Sequence, residues 1–149
     1  MFLGLIPAQE AQLAFDLLFA AILGGLIGLE REYNQRPAGL RTLILVSVGA
    51  ALFAAAATFA FGDKSDGASR IIANIAVGIG FLGSGVVLKQ DDSVTGLTTA
   101  ASIWAVAAIS IAVAMNMYFL AVVAELIVLV TLFVLRRFEE KTLKSKPNE

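Results

Sequence analysis

Five long apolar stretches separated by short polar breaks run through almost the whole chain. They cover about residues 11–29, 40–61, 71–88, 97–114 and 118–135, and the first is interrupted by Asp16. Each approaches the roughly 20 predominantly apolar residues that a helix needs to cross about 30 Å of hydrocarbon. The pattern therefore predicts an all-α, polytopic transmembrane bundle of about five spans. The breaks at residues 30–39, 62–70 and 89–93 are charged, and the first two are also rich in turn-forming residues, whereas Met115-Asn116-Met117 is a minimal link. Residues 1–135 are expected to form one membrane domain, and residues 136–149 a charged cytoplasmic tail, suited either to an anionic lipid surface or to plain solvation.

Composition makes lipid part of the solvent. Of 149 residues, 58% are hydrophobic and mean hydropathy is +0.84, against roughly 45–50% apolar residues in soluble domains. A net charge of −1 leaves no footprint for nucleic acid. There is no cysteine and no histidine. Disulfides, thiolate metal sites and histidine-based catalysis are excluded, and with no acid–base pair at telling spacing an enzyme is the weakest expectation. The first residues carry no positive region before the apolar stretch, so that stretch reads as a retained span and not as a cleaved signal.

Charge distribution orients the bundle. With the N-terminus outside, nine Lys and Arg residues fall inside (Arg31, Arg36, Arg41, Lys89, Arg136, Arg137, Lys141, Lys144, Lys146) and two fall outside (Lys64, Arg70). Cytoplasmic loops carry the excess of positive charge, which predicts an outside N-terminus and an inside C-terminus.

The glycine-rich run Gly24-Gly25-Leu26-Ile27-Gly28, a polar loop and Gly39-Leu40-Arg41-Thr42 are echoed by Gly80-Phe81-Leu82-Gly83-Ser84-Gly85, a polar loop and Gly96-Leu97-Thr98-Thr99. This reads as a parallel two-helix repeat, of a kind used in some transporters; chance likeness of two glycine-rich hairpins is the alternative. Gly24, Gly28, Gly80, Gly83 and Gly85 are expected to admit neighbouring helices closely. Gly78-Ile79-Gly80-Phe81-Leu82-Gly83 matches a dinucleotide-binding expression, but it lies late in an apolar span with no βαβ context, and the nucleotide reading is rejected.

Polar residues supply two candidate sites. Glu30, Arg31, Arg36, Arg41, Thr42, Thr98 and Thr99 gather at the inner face. There Arg31, Arg36 and Arg41 are the near candidates to offset acid at a helix C-terminus, with a Glu30–Arg41 pair closing the hairpin, and Thr95 would cap the fourth span. An interfacial ion-pair cluster and a site for an ion or regulatory anion both fit. Within the spans lie Asp16, Asn74 and Glu125. An ionised carboxylate there costs at least about 2.5–3.5 kcal/mol on insertion scales, so Asp16 and Glu125 are expected to face the bundle interior or a cavity. One reading is a proton or cation site, with Mg2+ held by one or two carboxylates and several waters; the other is a packing contact between helices.

The runs Gly24-Gly25-Leu26-Ile27-Gly28-Leu29-Glu30-Arg31-Glu32, Arg36-Pro37-Ala38-Gly39-Leu40-Arg41-Thr42, Ser69-Arg70-Ile71, Gly78-Ile79-Gly80-Phe81-Leu82-Gly83-Ser84-Gly85 and Val94-Thr95-Gly96-Leu97-Thr98-Thr99-Ala100-Ala101-Ser102-Ile103-Trp104 together resemble the MgtC/SapB family of bacterial inner-membrane proteins. The resemblance covers about residues 13–135. It implies both signature loops on the cytoplasmic side, a link to magnesium homeostasis, and regulation through membrane partners such as the F-type ATP synthase. Better-studied members add a soluble C-terminal domain, and this sequence resembles the short form without it. The expected function is a non-enzymatic regulator that forms homo-oligomers, a dimer first, in the lipid bilayer; a small magnesium or other cation transporter is the alternative.

Overall fold

A computed structural model describes residues 8–61, 66–90, 93–135 and 137, and all structural statements concern those residues. They form five helices: α1 (Ala8–Tyr33), α2 (Leu40–Phe61), α3 (Asp66–Ser84), α4 (Leu97–Ala114) and α5 (Tyr118–Val130), the last continued by one π-helical turn, Thr131–Leu135. All five, counting the π-turn with α5, are long and apolar enough to cross a membrane. The charged tail, apart from Arg137, lies outside the described residues.

Two elements differ from the hydropathy pattern. The sequence Glu30-Arg31-Glu32-Tyr33, expected as a turn, is the last turn of α1. Likewise α3 starts at Asp66, inside the expected break, and stops at Ser84 instead of running to residue 88. Acidic Asp66 in the first turn suits the positive end of the helix dipole. Beyond α3, a short antiparallel hairpin, β1 (Leu88–Gln90) and β2 (Ser93–Thr95), precedes α4, with Lys89 opposite Val94.

Helix ends follow local backbone chemistry. At the end of α1, Gln35 adopts φ 52, its N–H bonds to Glu32 O, and the Arg36 N–H bonds to Arg31 O at 2.9 Å. This is a Schellman closure with a non-glycine residue in the left-handed position. After α4, Asn116 takes the same role at φ 61, with Met117 N–H bonded to Ala112 O. Asn is the residue that tolerates that conformation best after glycine.

The bundle centres on α4, which packs against α1, α2, α3 and α5, while α1 and α2 share the closest pairing. Its core is fine-grained: Ala20, Leu23, Ile27, Leu43, Ala50, Ala51, Ala54, Ile103, Val106 and Val113 are buried. Large side chains such as Phe15, Leu18, Ile22, Phe53, Phe81 and Phe119 stand outward, as a lipid-facing surface requires. A Cβ on Gly28 would stand 2.8 Å from Leu40 Cα, and one on Gly24 would meet Ser47 Cβ, so both glycines bring α1 against α2. Gly83 is buried against Ala100 of α4. Gly80 faces open space with nothing within 4 Å, and Gly85 meets only carbonyls of its own turn, so neither packs helices together among the described residues.

Candidate functional site

Both hairpins turn at the same end of the bundle, because α1 and α3 run one way and α2 and α4 return. That end collects α1's C-terminus, the β1–β2 hairpin, the start of α4 and the π-turn after α5. The centre of the cluster is Arg31. Its Nη2 donates to Thr99 Oγ1 at 3.0 Å in a buried bond joining α1 to α4, and its Nη1 lies 3.9 Å from Glu30 Oε2. Glu30, also buried, accepts from Asn34 Nδ2 at 2.6 Å through Oε1.

Of the three candidate partners of Glu30, Arg31 is the one beside it; the Glu30–Arg41 pair does not form, since Arg41 is exposed and makes no ion pair among the described residues. A basic neighbour on the same helix needs no loop to bring it there. Thr42 is exposed beside Arg41. Glu32 accepts from the Leu40 N–H at 2.8 Å, so a carboxylate from α1 satisfies a donor at the start of α2. Thr95 does not cap α4. It belongs to β2 and donates toward Leu88 O at 3.4 Å, and the cap position is Gly96 at φ 86, with no side-chain cap.

A cavity of about 640 Å³ opens at this end. Arg31, Arg36 and Pro37 form one wall, Val86, Leu88 and Val94 another, and Thr131, Leu132 and Leu135 of the π-turn a third; residues Thr95 to Thr99 complete it. The structure thus brings Arg31, Arg36, Thr98 and Thr99 into one lining, adjoins Glu30 to it, and leaves Arg41 and Thr42 outside. The hydropathy pattern gave no sign of the hairpin or of the π-turn wall, although π-turns frequently mark functional positions.

Asp16, Asn74 and Glu125 do not come together. Asp16 is buried near the opposite end, where its Oδ1 accepts from Tyr118 OH at 2.6 Å and from Gln12 Nε2 at 3.0 Å. Glu125 is buried where α5 packs on the bundle, and neither carboxylate oxygen has a hydrogen-bond partner among the described residues. Asn74 is exposed on α3, in an apolar groove of about 580 Å³ against α2. Among the described residues no three carboxylates converge as metal ligands. One buried polar link went unread in the sequence: Ser47 on α2 donates to Ala20 O and lies 2.8 Å from Ser110 Oγ on α4. Serines at helical spacing in an apolar run carry no mark of such pairing.

Comparison with known proteins places this arrangement. The model of the MgtC family matches residues 17–141. "Putative magnesium transporter YhiD" of Escherichia coli (strain K12) is 37% identical over 91% of this chain and 65% of its own length. Protein MgtC of Brucella abortus is 48% identical over 68% of this chain and 42% of its own length. Protein SrpB of Synechococcus elongatus is 38% identical over 85% and 76%. The chain therefore spans less than two thirds of the first two relatives. No solved structure matches it.

Proposed function

The chain belongs to the MgtC family of membrane proteins, and from that premise we propose that it is a non-enzymatic regulator in the bacterial inner membrane, linked to magnesium homeostasis and membrane energetics. It works as a homo-oligomer through membrane partners, of which the F-type ATP synthase is the first to test by co-purification. The observation that carries this reading is the buried Arg31–Thr99 bond. It ties both signature segments into one preformed cavity at a bundle end, where a partner or small ligand has access.

A transporter reading is favoured by one feature, the buried carboxylate of Glu125, which has no hydrogen-bond partner among the described residues. A hard dication takes about six oxygen ligands, yet Asp16 is engaged by Tyr118 and Gln12, and Asn74 lies on a different helix contact. Reconstitution in proteoliposomes with an internal magnesium-sensitive dye separates the two. The regulator shows no saturable magnesium flux, and in cells its effect on growth in low magnesium is lost in Thr99→Val and kept in Glu125→Gln. Saturable flux abolished by Glu125→Gln overturns the reading.

A further inference from the structure

The cavity at the Arg31 end carries a ligand class that neither the family nor the relatives' names assign. Arg31 is 5% exposed and Thr99 3% exposed, and both line a space of about 640 Å³. Arg31 is therefore a fixed wall, held by Thr99 and lying beside Glu30. Glu30 offsets part of its charge and is not among the lining groups. Arg36 adds a second guanidinium from the loop. Its backbone is set by the Schellman bond to Arg31 O, and its exposed side chain has no hydrogen bond or ion pair among the described residues.

The third contribution is the first turn of α4. Gly96 occupies the cap position and provides no side-chain acceptor, so no side chain caps the start of this 18-residue helix, whose first turn lines the cavity. Two guanidinium groups and a helix N-terminus converging on one space favour an anion with several acceptor oxygens. Leu132 and Leu135 give the same space an apolar side. We propose that this cavity binds a phosphate group between Arg31, Arg36 and the start of α4, carried either by an anionic lipid headgroup or by free phosphate.

The inference rests on the Arg31 end being the working end of the molecule. The full chain in phosphatidylcholine nanodiscs is titrated with inorganic phosphate by calorimetry, and the detergent-purified chain is exposed to phosphatidylglycerol and read by native mass spectrometry. Saturable binding in the first arm identifies free phosphate, and in the second a lipid headgroup; either supports the site. Arg36→Gln, at an exposed position that leaves the Arg31–Thr99 bond intact, is expected to weaken the binding arm about tenfold, the loss of one charge-assisted bond. Arg41→Gln removes the same charge outside the cavity and leaves binding unchanged. No saturable binding in either arm, or equal loss in Arg36→Gln and Arg41→Gln, overturns the proposal. Magnesium flux in proteoliposomes would sink the regulator reading without touching this result, and failure to bind phosphate would leave the flux result standing.

Discussion

Asp16 shows how an acid is accommodated inside an apolar span. Its side chain is 1% exposed and is held by Tyr118 OH and Gln12 Nε2, while the Tyr118 ring packs edge-on against Phe15 and Phe19. Tyr118→Phe keeps those ring contacts and removes only the hydroxyl, leaving a buried acceptor short of one partner. That costs about 1–3 kcal/mol, and it should lower the unfolding midpoint of the purified protein in detergent. Gln12→Leu keeps the Tyr118–Asp16 bond and removes the longer Gln12 bond to Asp16 and the more exposed one to Tyr118 OH, so it is expected to cost less; equal losses would mean that the hydroxyl has no special part. The sequence shows that Asp16 and Glu125 must be sheltered, because an exposed charge in lipid is expensive, and both are buried. It does not show by what: Tyr118 lies 102 positions from Asp16, and nothing in local spacing marks a partner that only the packing of α1 and α5 creates.

Among the helices, glycine has two different uses that the sequence alone does not separate. Gly28 lets α1 approach backbone to backbone, since a Cβ there would stand 2.8 Å from Leu40 Cα, whereas a Cβ at Gly80 meets nothing within 4 Å. Gly28→Ala must push α1 and α2 apart and is expected to lose about 1–3 kcal/mol, the range for overpacking a tight core. Gly80→Ala is expected to be neutral or to gain up to about 1 kcal/mol from better helix propensity. Denaturant midpoints for the two variants check this, and a loss at Gly80 comparable to that at Gly28 would reveal a contact made by another molecule on α3. The five helices themselves were legible because an apolar run of that length has no other stable form in lipid. The β1–β2 hairpin was not, being short and flanked by polar residues, nor was the early start of α3, where Asp66 and Arg70 look like loop but continue the helix.

For the molecule as a whole, helix count and direction dictate where function can sit. Each span reverses the chain, so the α1–α2 loop, the β1–β2 hairpin and the end of α5 must share one side; this is why Arg31, Arg36, Thr98 and Thr99 could be grouped from sequence although α1 and α4 are far apart along it. The cavity that three of these segments enclose was not legible, because its walls depend on the hairpin and on the π-turn Thr131–Leu135. The nine-to-two split of Lys and Arg predicts a cytoplasmic place for that side. The chain contains no cysteine, so single introduced thiols test the assignment without background. Met117→Cys stands at the opposite end, 45% exposed, and Tyr33→Cys at the Arg31 end, 87% exposed. A membrane-impermeant maleimide added to intact spheroplasts is expected to label Met117→Cys at once and Tyr33→Cys only after permeabilisation. The reverse pattern would turn the bundle over, and with it the Arg31 cavity would face away from any cytoplasmic ligand or partner.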